Sequence, residues 1–457
     1  MEDDRAGVPR GSALLTDLYQ LTMMNGYLEH GEEETRAAFD LFFRRAVFGG
    51  RYLVVAGLED AVRFLQELVF TGDEIEYLRS LELFGDEFLE YLSGFRFTGD
   101  LHAMPEGTPV FPGEPVLRIE APLLEGQLVE TALLNIVGYQ TLIATKASRV
   151  VRAADGDPVI DFGLRRAHGT NGAFLATRAA FIGGVQGTSN VLAGRRLGIP
   201  VRGTMAHSWM LSFDSELEAF RAYADVYPEG TILLLDTYDT LRSGLPNALT
   251  VAGEMREQGH RLLGVRLDSG ELTALSLEVR ERLDRSGLED ALVFASGDMD
   301  EHRIAALKAQ GACIDAWGVG TRLITAHGDP GHSGVYKLAA VERDGAWTSK
   351  HKVSDEEGKA TLPGRKQVWR RFGDDGLAES DLIALHDEPV EHGEADALLV
   401  PVLEGGELLG PLPTLEAAQV RARAELDQFA SGVLRLDEPG AYPVEVSAGI
   451  EALRSRE

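Results

Sequence analysis

Six short apolar runs constrain this chain more than any other feature. They occupy residues 159–162, 201–205, 232–236, 262–267, 292–296 and 314–317. Their starts lie 42, 31, 30, 30 and 22 residues apart, which leaves room for one helix in each interval. Strands alternating with helix-length segments make βα units around a parallel sheet. The compact spacing and the count of six predict an irregular α/β barrel in place of a regular eightfold one.

The flanking segments read differently. Apolar spacing in Leu18, Leu21, Met24 and Leu28, and again in Leu58, Val62, Leu65 and Leu68, predicts a mainly helical entry over the first hundred residues. Short β-type pieces follow over 97–120, broken by Pro105, Gly107, Pro109, Pro112, Gly113 and Pro115. A helix starts near Glu125 and runs through Leu133, Leu134, Val137 and Ile143. Beyond Val335 the pattern returns to β-type pieces at 335–341 and 398–403, interrupted by a polar loop over 350–366, with a last helix over 414–429. The predicted organisation is an N-terminal segment (1–135), the barrel with the active site (136–335) and a C-terminal segment (336–457). The two ends are expected to pack together as a second α+β domain. A chain of 457 residues with 44% hydrophobic content can fill both cores.

Charge and cysteine usage narrow the partners. The 73 acidic against 44 basic residues leave a net charge of −29, which disfavours nucleic acid and anionic membrane surfaces. An anionic substrate therefore needs a locally basic site. The single Cys313 excludes an internal disulfide framework and a thiolate zinc cluster, and points to a reducing, cytoplasmic setting. Residues 1–11 are polar, and no run of eighteen apolar residues occurs, so neither a signal peptide nor a membrane span is expected.

Each apolar run closes on a polar or glycine-bearing cluster, and the carboxyl ends of barrel strands are where such enzymes keep their chemistry. The first cluster is Asp161-Phe162-Gly163-Leu164-Arg165-Arg166. It offers a flat aromatic face for a planar ring and guanidinium forks for a carboxylate or phosphate. The second, Gly203-Thr204-Met205-Ala206-His207-Ser208, presents one imidazole. A lone histidine is more often structural. To act as acid, base or nucleophile it needs a partner that fixes its tautomer, and Asp236 at the next strand end is the candidate.

Asp236 opens the cluster Asp236-Thr237-Tyr238-Asp239-Thr240, in which Asp239 suits a helix cap. Arg266-Leu267-Asp268-Ser269-Gly270 sets a carboxylate suited to sugar hydroxyls beside a cation suited to pyrophosphate. Ser296-Gly297-Asp298 and Gly318-Val319-Gly320-Thr321 are glycine turns whose backbone N–H groups can approach a phosphate. No histidine set has metal-ligand spacing, so a protein-held transition metal is not expected.

Taken together and in this order, Thr16-Asp17-Leu18-Tyr19-Gln20-Leu21-Thr22-Met23, Asp161 to Arg165, Gly203 to Ser208, Arg266 to Gly270 and Gly318 to Thr321 resemble the nicotinate phosphoribosyltransferases. The resemblance covers residues 14 to 370, and extends to Lys352-x-Ser354 and Pro363-Gly364-x-Lys366. It implies a type II phosphoribosyltransferase fold. It also implies formation of nicotinate mononucleotide and pyrophosphate from nicotinate and 5-phosphoribosyl 1-pyrophosphate, an entry step of NAD salvage. ATP hydrolysis would be coupled to the synthesis, as in a ligase, with Mg²⁺ bound mainly through the substrate phosphates. His207 would be the phosphorylated histidine and Asp236 its orienting carboxylate. Phe162 would stack on the nicotinate ring, with Tyr19 of a neighbouring subunit closing the other face, which implies a homodimer. Arg165 would lie near the ring carboxylate, Asp268 would hold the ribose hydroxyls and Arg266 the pyrophosphate. Gly297, Gly318, Gly320 and Thr321 would cradle the 5-phosphate.

Relatives that use nicotinamide carry an aspartate in the segment reading Gly187-Thr188-Ser189-Asn190 here. Thr188 and Ser189 are thus expected beside the pyridine, and Ser189 in place of an acid favours nicotinate, by tenfold or about 1.4 kcal/mol. A nicotinamide phosphoribosyltransferase and a non-catalytic phosphosugar-binding barrel are the alternatives; a quinolinate-specific enzyme is typically shorter and more basic around its substrate.

Overall fold

The computed structural model describes residues 12–352, 361–390 and 395–455. Ser354 and the polar residues 1–11 lie outside them. The chain divides into two compact units, one of residues 146–327 and one joining 1–145 to 328–457. The helix Glu130–Ala154 runs through the first division, so the compact unit starts within it, later than the 135/136 boundary set from sequence.

The 146–327 unit is built on a six-stranded parallel sheet. Its strands are β1 (Val159–Asp161), β2 (Gly187–Thr188), β3 (Ile232–Leu234), β4 (Gly264–Leu267), β5 (Leu292–Ala295) and β6 (Ala316–Val319), paired in the order β2-β1-β6-β5-β4-β3. Helices such as Thr170–Ile182, Leu245–Glu257, Leu272–Arg285 and Glu301–Ala309 alternate with them. The core includes fully buried Trp317, Val293, Val265 and Leu233. Five of the six apolar runs therefore become strands.

The run at 201–205 does not. Val201 makes only an isolated bridge to Thr188 and is 43% exposed. Pro200 and Gly203 flank it too closely for a ladder. The second strand is instead Gly187–Thr188, two small residues with no apolar pattern to announce them. His207 accordingly opens a short helix, His207–Leu211, and does not end a strand.

The second unit is α+β and is made from both ends of the chain. Its largest sheet is antiparallel and has seven strands, in the order Ala346–Ser349, Gly334–Arg343, Arg36–Phe43, Pro115–Pro122, Asp100–Ala103, Val400–Glu404 and Glu407–Leu408. A four-stranded sheet carries Lys366–Phe372 and Ala378–Leu385 at its centre. The helices Leu18–Glu29 and Leu58–Glu67 appear as the spacing predicts.

The helical reading of the first hundred residues needs correction at Arg36–Phe43, a strand near the middle of the seven-stranded sheet. Nearly every residue of it is buried, so the alternation that marks a half-exposed strand is missing. Its one acid, Asp40, is buried against Lys366 Nζ at 2.6 Å. Among the described residues no helix is long and apolar enough to cross a membrane.

Candidate active site

The carboxyl ends of the parallel strands gather the polar clusters of the 146–327 unit. After β1, Phe162 donates its N–H to Val319 O at 2.8 Å, so the first residue beyond one strand is tied to the end of its neighbour. Its half-buried ring lies 5.8 Å from Phe294, tilted by 31°. Gly318 makes that seat possible. A Cβ there would meet the Phe162 ring at 2.7 Å and the Phe294 ring at 2.8 Å. Arg165 is exposed on the short turn Leu164–Arg166.

Beneath Phe162, the Asp161 carboxylate is fully buried and organises the floor. It accepts from Gly163 N–H at 2.7 Å, Thr188 Oγ1 at 2.8 Å and Thr177 Oγ1 at 3.1 Å. Burial raises its pKa, against the pull of these donors. Thr188 also accepts from Asn190 N–H at 3.0 Å, so its hydroxyl is committed inside the fold. Ser189 is half-buried and is anchored by its N–H on Asp161 O at 2.9 Å.

His207 Nε2 lies 3.3 Å from Asp236 Oδ1. The imidazole is 40% exposed while the carboxylate is 5% exposed, so a buried acid holds an accessible ring. The other carboxylate oxygen accepts from Ser269 Oγ. A ring protonated at Nε2 would donate to Asp236 and keep the Nδ1 lone pair as its acceptor or nucleophile. Asp239 is a cap: its carboxylate accepts from the N–H groups of Leu241 (3.1 Å) and Arg242 (2.9 Å).

Near the end of β4, the largely buried Arg266 donates to Thr204 Oγ1, while its Nε has no hydrogen-bond partner among the described residues. Burial lowers its pKa, and nearby Arg165 adds to the lowering, against Asp268 and Asp236. Two guanidinium groups near each other give a strongly acidic chain the basic spot an anionic substrate requires. Asp268 accepts from Ser296 Oγ. Gly297 adopts φ +82°, and a Cβ there would sit 2.0 Å from Asp268 O, so only glycine lets the turns after β4 and β5 approach this closely. Gly320 and Thr321 follow β6, where a Cβ on Gly320 would lie 3.3 Å from Phe162 O.

The structure thus brings Phe162, Arg165, Thr188, Ser189, Asp236, Arg266, Asp268, Gly297, Gly318, Gly320 and Thr321 into one unit at or just beyond strand ends, with His207 joining them from the start of the short helix His207–Leu211. Tyr19 belongs to the other unit, on Leu18–Glu29, where it is 49% exposed. Burial, then Glu130 and Asp17, raise its phenol pKa. The sequence reading missed three hydroxyls that hold the carboxylates, Thr177 on Asp161, Ser269 on Asp236 and Ser296 on Asp268, and it expected Thr188 beside the pyridine without foreseeing its bond to Asp161. Ser269 and Ser296 stand inside quoted motifs, yet only the fold pairs each with the acid of another strand.

Residues 14–138 match the nicotinate phosphoribosyltransferase (NAPRTase) N-terminal domain, 158–367 the NAPRTase family and 390–454 the nicotinate phosphoribosyltransferase C-terminal domain. Nicotinate phosphoribosyltransferase pncB2 of Mycobacterium tuberculosis is 45% identical, over 95% of this chain and 91% of its own. The Bacillus subtilis nicotinate phosphoribosyltransferase is 44% identical, over 95% and 93%. The crystal structure of human nicotinic acid phosphoribosyltransferase superposes with a TM-score of 0.83 at 33% identity, covering 96% of this chain and 99% of that one. With the motifs, the mixed α/β architecture and relatives of this similarity along nearly its whole length, the chain belongs to the nicotinate phosphoribosyltransferase family.

Proposed function

We propose that the chain transfers the phosphoribosyl group of 5-phosphoribosyl 1-pyrophosphate to nicotinate, and that it couples this to ATP through a phosphohistidine at His207. The pyridine nitrogen attacks the anomeric carbon with its own lone pair as the carbon–pyrophosphate bond breaks. No general base is needed. Catalysis then rests on positioning and on stabilising the departing pyrophosphate. Phe162 supplies a face for the ring, Arg165 and Arg266 the positive charge, and Asp268 the acceptor for ribose hydroxyls. The glycine turns supply backbone N–H groups for the 5-phosphate. Ser189, which adds no negative charge, favours the carboxylate of nicotinate over the amide of nicotinamide.

The observation that carries the coupling is the Asp236 carboxylate on His207 Nε2 with an exposed imidazole beyond it. Nδ1 is then the nucleophile: its lone pair attacks the γ-phosphorus of ATP, the bond to the ADP oxygen breaks, and ADP leaves. Asp236 stabilises the ring as it becomes cationic. Among the described residues no group of three His, Cys, Asp or Glu could hold a metal. Asp236 and Asp268 are hard oxygen donors that suit Mg²⁺ arriving with substrate phosphates, where the ion would neutralise charge on the pyrophosphate. A homodimer with Tyr19 supplied by the neighbouring subunit, in the cytoplasm, completes the reading.

The test is mononucleotide formation from nicotinate or nicotinamide, each with and without ATP, alongside labelling by γ-³²P-ATP. Expected are a preference for nicotinate, stimulation by ATP, and acid-labile, base-stable label at Nδ1 that His207→Ala removes. Equal rates without ATP and no label would refute the coupling; no mononucleotide at all would refute the transferase.

A further inference from the structure

We propose that Arg322 is a positioning residue of the 5-phosphate cradle, tying the turn after β5 to the turn after β6 and offsetting one of the two carboxylate charges that would otherwise face the phosphate. The proposal rests on the transferase reading above. Arg322 follows Thr321 at the end of β6, and its guanidinium donates to Asp300 Oδ2 and lies 3.6 Å from Asp298 Oδ2. Both acids belong to the turn that begins with Ser296 and Gly297. One side chain therefore spans the two glycine turns assigned to one phosphate.

The far end of this link is rigid. Asp300 is 6% exposed and caps Glu301–Ala309 by accepting from Arg303 N–H at 2.8 Å. Arg303 in turn donates to Gly297 O at 3.1 Å, which fixes the carbonyl side of the cradle glycine. The next residue, Glu301, is buried against Lys146 Nζ at 2.6 Å. Asp298, by contrast, is two-thirds exposed at φ +48°, a backbone that few non-glycine residues adopt. Arg322 is thus clamped on its buried side and reaches an exposed acid on the other.

The chemistry gives this arrangement a purpose. A phosphate approaching Gly297, Gly318 and Gly320 meets Asp298 and Asp300 within three residues of the first glycine. Two bare carboxylates there would oppose a dianion. Burial acts to raise the Asp300 pKa, yet hydrogen bonds from Arg303 N–H and from Arg322 outweigh it and hold the group ionised. Arg322 cancels that charge and keeps the cradle at a fixed width.

Steady-state kinetics of Arg322→Gln, with both substrates varied, test the assignment. The KM for 5-phosphoribosyl 1-pyrophosphate should rise about tenfold, equivalent to about 1.4 kcal/mol, while kcat and the KM for nicotinate stay within twofold. Arg322→Lys should recover most of the loss by restoring the charge, and an unchanged denaturation midpoint should accompany both. A donor KM within twofold of wild type, or both KM values rising together, would overturn the proposal while the transferase stands. A wild-type protein that forms no nicotinate mononucleotide would overturn both.

Discussion

Gly318→Ala adds one methyl group where two aromatic rings leave no room, and the response should separate binding from stability. The new Cβ would lie 2.7 Å from Phe162 and 2.8 Å from Phe294. Ordinary carbon contacts need about 3.5–4.0 Å, so a ring must retreat by roughly 1 Å. Phe294 is 5% exposed and packed with Ile160 and Ala316, whereas Phe162 packs against that cluster from its open side. Phe162 should therefore move. Overpacking of this kind costs about 1–3 kcal/mol of stability. A displaced stacking ring forfeits about 0.5–1.5 kcal/mol of aromatic contact with a bound pyridine, so the KM for nicotinate should rise roughly two- to tenfold. The KM for the phosphoribosyl donor should rise less. Initial rates with each substrate varied, together with a thermal melt, read both effects. A variant that melts lower yet keeps its KM for nicotinate would refute the placement of the pyridine on Phe162.

Three further outcomes are expected. Ser189→Asp should raise the KM for nicotinate tenfold or more and shift preference toward nicotinamide, measured by competing the two pyridines. Asp381→Asn should cost about 3 kcal/mol in denaturant unfolding. It strips a buried Arg370 of the partner whose oxygens lie 3.0 and 2.8 Å from its nitrogens. His102 gives acid sensitivity, because burial, then the charge of Arg118, depress its pKa to about 4. The folded ring stays neutral while the unfolded one takes a proton near pH 6.5, so stability present above that pH is lost as pH falls toward 4. The ring keeps some contact with water, which reduces the loss to about 1 kcal/mol between pH 7 and 5. His102→Gln should flatten the pH dependence by that amount in denaturant titrations at both values.

Much of the site was legible because buried parallel strands are short apolar runs, and their ends must turn polar where the chain leaves the core. Val293 and Val265 mark their strands in that way. Gly187–Thr188 was hidden because its position depends on a hydroxyl reaching Asp161, a tertiary contact with no periodic trace. Arg36–Phe43 was hidden for the opposite reason, being covered so completely that its alternation vanished. The clamp from Arg322 to Asp298 and Asp300 joins residues a helix apart, and only the folded sheet sets them side by side.

The seven-stranded sheet also carries a schedule. Arg36–Phe43 pairs on one side with Pro115–Pro122, which leaves the ribosome soon after it, and on the other with Gly334–Arg343. At about 5–20 residues per second, the second partner follows the first strand by roughly 15–60 s. Throughout that interval a strand bearing Phe39, Leu41 and Phe43 has an open hydrogen-bonding edge. The nascent chain is thus most prone to mispairing while its 146–327 unit is being made. Slower translation of that stretch should lower the soluble yield, and a chaperone that shields strand edges should restore it.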